Sequence, residues 1–163
     1  MTPSQVARTY IGQLEKPGNS GFQDHNFEIE MRNFGEWLPG YSWCCCFAQL
    51  CFHYAYPEKA DTIKKMFSPS TRETFNNFKK SGYKISQDPI VDSLVIFGDY
   101  KNGVLTWQGH AGIVSSVLNQ KSFKSIEGNT SGSGSRNGDR VFEHIRNINV
   151  KSSGLNVLGF ITI

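Results

Sequence analysis

Gly40-Tyr41-Ser42-Trp43-Cys44-Cys45-Cys46-Phe47-Ala48-Gln49-Leu50-Cys51 passes from turn chemistry at Pro39-Gly40, through two aromatics, into an uncharged apolar run. Such a run is a buried helix, here from Trp43 to about Tyr54, and it sets Cys44 at or near the N-terminus. Unpaired N–H groups and the positive end of the helix dipole favour an anion there. Only the thiolate of cysteine is a good nucleophile, so a thiol in that position reads as an attacking group. The rest of the chain must then supply a base, a group to orient it, and a cleft.

Upstream, Thr2-Pro3-Ser4-Gln5 is a helix start, with Thr2 as N-cap, Pro3 in the first turn and Gln5 completing a capping box. Val6, Tyr10, Ile11 and Leu14 continue at helical spacing to about Glu15, before Pro17-Gly18-Asn19-Ser20-Gly21 stops the pattern. A second helical pattern runs from Gln23 to about Phe34, with Phe27, Met31 and Phe34 on one side. Downstream, Pro57 opens a short helix through Ile63 and Met66. Ser70 and Glu73 form another capping box leading into Phe75 and Phe78, and Ser81-Gly82 ends it.

After Pro89 the texture changes. Ser93–Phe97, His110–Leu118, Ser122–Glu127, Arg140–Asn147 and Leu155–Ile163 read as short strands separated by turn residues. Helices first and strands second predict an α+β domain, N-terminal helices packed on a C-terminal antiparallel sheet. Thr130 to Asp139, rich in Gly, Ser and Asn, reads as a surface loop between strands.

A chain of 163 residues, 38% hydrophobic and 13% aromatic, is expected to be a single globular domain over 1–163. The net charge of +3 suits a polyanionic partner without selecting one, and scattered Lys and Arg with no stripe argue against nucleic acid. No basic-then-apolar leader opens the sequence and no run is long enough to span a bilayer, so cytoplasmic synthesis without membrane insertion is expected. Cys44, Cys45, Cys46 and Cys51 share one helix, which excludes a disulfide framework, and they lack paired zinc spacing. One functional thiol among packed ones is the reading.

Of the four histidines, His110 stands apart. Gly109-His110-Ala111-Gly112-Ile113-Val114 sets it at the opening of an apolar strand, with glycines that let another group approach. A hairpin near Leu118-Asn119-Gln120 brings either Glu127 or Asn129 opposite His110, depending on register, and alternation puts both on one face. Each residue taken singly has a packing explanation: a buried cysteine, a strand-capping histidine, a Gly-Asn turn. The order and the placement at element ends favour chemistry.

Together, Glu15-Lys16-Pro17-Gly18-Asn19-Ser20-Gly21, Gly40-Tyr41-Ser42-Trp43-Cys44, Gly109-His110-Ala111-Gly112-Ile113-Val114, Ile126-Glu127-Gly128-Asn129-Thr130 and Gly159-Phe160-Ile161 resemble the cysteine, histidine-dependent amidohydrolase/peptidase (CHAP) domains. The resemblance runs over nearly the whole chain. It implies a papain-like fold and hydrolysis of an amide bond in bacterial peptidoglycan, often within phage endolysins. It also implies Cys44 as nucleophile, His110 as base, Glu127 as orienter, and Asn129 as an auxiliary polar residue or substitute orienter.

Tyr41, Trp107 and Gln108 are candidates for the cleft walls. The Cys44 N–H with a donor from Ser42 or Tyr41 would hold the oxyanion. The sequence departs from the family where Cys45 and Cys46 replace small residues after the nucleophile, and where Val91-Asp92-Ser93 replaces a Gly-Asp pair. Some relatives bind calcium through clustered aspartates before the nucleophile. Only Glu36 is acidic between Phe34 and Trp43, so neither metal nor other cofactor is expected.

The expected function is therefore that of a monomeric peptidoglycan hydrolase, an N-acetylmuramoyl-L-alanine amidase or a peptide endopeptidase. It would reach the wall after release or delivery, as an endolysin does. The rival readings are a non-catalytic module that binds wall peptide, and a papain-like peptidase or transglutaminase-type enzyme acting on protein.

Overall fold

Helices precede a six-stranded sheet in a computed structural model that describes residues 1–148 and 150–163. The helices are α1 (Pro3–Thr9), α2 (His25–Asn33), α3 (Cys44–Ala55), α4 (Ala60–Met66) and α5 (Thr71–Lys80). The strands are β1 (Ile85–Ser86), β2 (Leu94–Lys101), β3 (Val104–Asn119), β4 (Ser122–Thr130), β5 (Arg140–Asn147) and β6 (Gly154–Ile161). Every pairing is antiparallel, in the order β1-β6-β2-β3-β4-β5. This is the expected α+β, papain-like arrangement.

The first nine residues of α3, Cys44 to Phe52, are all buried, as an uncharged run demands. Leu94, Ile96, Ala111, Ile113, Ile126 and Ile161 join these helical residues in the main core. The alternate strand positions Val95, Phe97, Val114, Phe123 and Phe160 form a separate, smaller cluster. Gly128 lets sheet and helix approach closely: a Cβ there would lie 2.7 Å from the Trp43 ring and 2.8 Å from Phe47 Cβ.

Three expectations need correction. The first helix stops at Thr9, not near Glu15, because the edge of β5 captures the following residues. The Gly12 N–H donates to Val141 O, Val141 N–H to Gln13 O, and Glu15 N–H to Asp139 O. Second, β2 and β3 extend past Phe97 and ahead of His110, joined at Asn102-Gly103, both with positive φ (50° and 78°). That is the dipeptide of a tight hairpin turn, and it places His110 well inside a strand and not at its opening. Third, the two-residue strand β1 pairs with β6 and was not expected.

Asp92 accounts for the departure at Val91-Asp92-Ser93. Its backbone takes φ 67°, a left-handed conformation that glycine fills most readily. Its carboxylate accepts from the Ser4 N–H at 2.9 Å and the Thr2 hydroxyl at 2.7 Å, capping α1 from a distant part of the chain. Gln5 meanwhile accepts from the Thr2 N–H at 2.9 Å, as the capping box predicts. Asp92→Ala removes the cap and places a Cβ in the left-handed region without a polar side chain to compensate. A loss of about 1–3 kcal/mol is expected in urea unfolding, while Asp92→Asn should lose less.

Candidate active site

Cys44 is the first residue of α3, preceded by Trp43, whose indole N–H donates to Glu15 at 2.7 Å. That bond and the surrounding aromatic rings lock the entry into the helix. The first-turn N–H groups of α3 have no acceptor within the helix and face the thiol's end. Cys44 lines a cleft of about 330 Å³ together with Asn19, Ser42, Thr71, Trp107 and Gln108, with Arg136 and Asn137 from the loop after β4. A segment read only as a surface loop thus contributes to one wall.

His110 is fully buried on β3 opposite Phe97, whose ring centroid lies 6.1 Å away. Its Nε2 is 2.8 Å from Glu127 Oε2, while Nδ1 has no hydrogen-bond partner among the described residues. An ionised carboxylate accepts only, so Nε2 carries the proton in the neutral ring and Nδ1 has its lone pair available. Gly112 makes room for this pair, since a Cβ there would sit 2.7 Å from Glu127 Cγ. The glycine read as leaving space for an approaching group leaves it for the carboxylate.

Glu127, on β4, is fully buried and satisfied at both oxygens. Oε1 accepts from Ser125 Oγ at 2.5 Å and Arg146 Nε at 2.8 Å; Oε2 takes His110 and Arg146 Nη2, the latter at 2.5 Å. Asn129 is fully buried too, but a register shift between Glu127 and Thr130 and a φ of 54° at Asn129 break the simple alternation. Its side-chain oxygen and nitrogen make no hydrogen bond among the described residues. Of the two alternative partners, Glu127 is therefore the one bonded to His110.

The electrostatics follow from these contacts. The neighbouring Cys45 thiol lowers the Cys44 pKa most; burial opposes it, but His110 and Thr71 also lower it, to well below the ordinary thiol range. Cys45 is pushed up by its contact with Cys44 and by burial, and burial pushes Cys46 and Cys51 up as well. Burial alone would lower His110, yet the nearby Cys44 thiol and then the bonded Glu127 carboxylate raise it to about 9. Burial alone would raise Glu127, yet Arg146 and then His110 bring it to about 2. The arrangement favours thiolate beside imidazolium beside carboxylate. Of the four thiols only Cys44 is shifted toward the thiolate.

The other expected residues divide. Trp107 and Gln108 line the cleft, Trp107 at 79% exposure. Ser42 lines it as well. Tyr41 is not among the lining residues; its carbonyl accepts from the Trp37 indole at 3.1 Å. Thr71 and Arg146 were not anticipated. Thr71 Oγ1 lies 3.9 Å from Cys44 Sγ and 3.6 Å from Cys45 Sγ, and no sequence pattern links the start of α5 to the thiols. Arg146 follows only once the register is known: β5 pairs with β4, and Phe123↔Arg146 and Ser125↔His144 put alternate residues on the Glu127 face.

A family model described as CHAP domain matches residues 36–129, more than half of the 163 residues. The match contains Cys44, His110, Glu127 and Asn129 and ends before β5. No curated protein and no solved structure matches the chain.

Proposed function

The chain belongs to the CHAP domain family, a hydrolytic amidase and peptidase family directed at peptidoglycan, and from that membership we propose a thiol mechanism for this member. Cys44 attacks a peptide carbonyl of the bacterial wall, making it an N-acetylmuramoyl-L-alanine amidase or a wall-peptide endopeptidase that acts as a monomer. It reaches the wall after release or delivery, in the manner of an endolysin. One observation carries the reading: His110 offers a free Nδ1 beside an activated Cys44 at a helix N-terminus, while Glu127 holds Nε2.

In the first half-reaction the thiolate adds to the carbonyl carbon. The oxyanion is held by first-turn N–H groups of α3 and a donor from the Ser42 side of the cleft. Protonated His110 gives its Nδ1 proton to the leaving amine, which departs and leaves a thioester on Cys44. In the second half-reaction neutral His110 takes a proton from water, the hydroxide equivalent adds, and the thiolate leaves as the acid is released. Glu127 keeps the ring in one tautomer throughout.

The direct test is mass spectrometry of soluble fragments after incubation with purified sacculi of several wall types. Peptides freed intact from glycan identify an amidase; shortened stems or split cross-bridges identify an endopeptidase. No fragments from any wall, with the thiol reduced, would reject the reading in favour of a binding module or a protein substrate.

The ion pair also predicts a pH profile. On the alkaline side, turnover is expected to fall as pH rises through about 9, where His110 loses the proton needed by the leaving amine. On the acid side, Cys44 alkylation by iodoacetamide should persist well below the range of an ordinary thiol, because its thiolate does. An alkylation rate that rises only through the normal thiol range would contradict the pairing.

A further inference from the structure

We propose that Arg146 is a positioning residue for the reaction, its guanidinium fork gripping both carboxylate oxygens of Glu127 and through them fixing the ring of His110. This rests on the Cys44–His110–Glu127 reading above. The fork is two-pronged, with Nε on Oε1 at 2.8 Å and Nη2 on Oε2 at 2.5 Å. The Glu127 side chain is wholly buried and that of Arg146 is 16% exposed. Phe97 supports the fork, its ring 5.3 Å from the guanidinium carbon and 6.1 Å from the His110 ring.

The terminal torsion of glutamate is broad, so a carboxylate held by the imidazole alone would swing. Arg146 and Ser125 give each oxygen a second partner and fix the plane. The fork also keeps the buried carboxylate ionised. A protonated Glu127 would donate to Nε2, move the neutral ring's proton to Nδ1, and leave no base facing Cys44. Lysine would supply the charge without the planar pair of donors.

The titratable groups around Glu127 are Cys44 on α3, His110 on β3, and His144 and Arg146 on β5, with His144 held below its ordinary value chiefly by burial, against the opposing pull of Glu127. Farther out, Asp99 is held by Arg136 at 2.8 Å, and Lys151 lines the cavities beside Arg146. Arg146 thus supplies a permanent cation bonded to the carboxylate, beside the titratable His110. Two cavities, about 380 Å³ and 180 Å³, are both lined by Arg146, Lys151 and Leu155, so a small soluble cation can reach the space that a truncated Arg146 would leave.

The test compares Arg146→Ala and Arg146→Lys with the wild type on sacculi, and follows Cys44 alkylation against pH, which needs no wall substrate. Arg146→Ala should lose about 10–100-fold in kcat with KM within about twofold, as expected for a group acting through another side chain. Its Cys44 alkylation limb should move to higher pH, since an uncompensated Glu127 protonates and weakens the imidazolium. Methylguanidinium should restore kcat at least about tenfold in Arg146→Ala and do nothing for Glu127→Ala. Arg146→Lys should keep the alkylation limb near that of the wild type yet lose about tenfold in kcat, separating charge from fork.

A folded Arg146→Ala protein with wild-type kcat and alkylation overturns the proposal. So does a loss of kcat with lowered thermal stability, an unmoved pH limb and no methylguanidinium rescue, which marks a structural strut. If Arg146→Ala does not fold, full kcat in Arg146→Lys overturns it instead. If wild-type protein releases no wall fragments while the alkylation limb still shifts in Arg146→Ala and stays in place in Arg146→Lys, the wall reading fails and the positioning role stands.

Discussion

Cys44→Ala is expected to lower the turnover of wall peptide by about 10⁴-fold or more while leaving the domain folded. The size follows from chemistry. Without the thiolate no thioester forms, and His110 can only activate water in a cleft arranged for a sulfur nucleophile. The small structural cost follows from position. Cys44 is the first residue of α3, alanine is a good helix former, and one sulfur atom is removed at the edge of a cleft. A stability loss of about 1 kcal/mol is expected, readable as a shift of a few degrees in Tm. Fast alkylation should vanish with the same substitution, because Cys45, Cys46 and Cys51 are all shifted toward the protonated thiol. A variant that still hydrolyses sacculi would mean that the nucleophile lies elsewhere.

The parts of the molecule legible in the sequence are those set by local chemistry. An uncharged apolar run has one stable solution at that length, so α3 and the place of Cys44 within it follow from the residues. Ser70 illustrates the same for α5, its hydroxyl accepting from the Glu73 N–H as its capping box predicts. The His110–Glu127 partnership was legible because a short hairpin constrains register to a choice of two, and both choices contained the partner. What separated Glu127 from Asn129 was not local. The register shift between Glu127 and Thr130 spans Gly128, where Trp43 and Phe47 at the start of α3 leave no room for a Cβ. The overlong first helix failed for a related reason: helical spacing in Tyr10, Ile11 and Leu14 was outweighed by hydrogen bonds to a strand well over a hundred residues later. Arg146 lay beyond reach until that strand's register was known. Asn102-Gly103 is different: its turn chemistry is local, and the β2–β3 hairpin it makes follows from the dipeptide itself.

Glu127→Gln should damage both activity and stability, and the reason is the count of acceptors. The carboxylate serves four donors: Ser125 Oγ, Arg146 Nε, Arg146 Nη2 and His110 Nε2. An amide of the same shape has one oxygen and brings two donors of its own. With the oxygen toward Ser125 and Arg146 Nε, the NH₂ faces Arg146 Nη2 and His110, and the ring must accept at Nε2 and carry its proton on Nδ1. With the oxygen toward His110, the tautomer survives but Arg146 Nε faces a donor, and the Ser125 hydroxyl must turn to accept and give up its own acceptor. The first arrangement disables the base; the second leaves buried donors unpaired and still lacks the charge that supports the imidazolium. A fall of about 10²–10⁴-fold in kcat is expected, toward the upper end if the first arrangement dominates. Stability should drop by about 3–5 kcal/mol near neutral pH, since Arg146 loses its countercharge in a buried setting. The pH dependence has a definite sign. Glu127 is depressed from 4.5 to about 2, so its contribution is fully present above the unfolded value and is lost as pH falls toward about 2. Urea unfolding of wild type and variant from pH 6 to 3 should therefore show a stability gap that is widest at pH 6 and narrows with acid. A gap that stays constant over that range would mean that the carboxylate is not held ionised by Arg146 and His110.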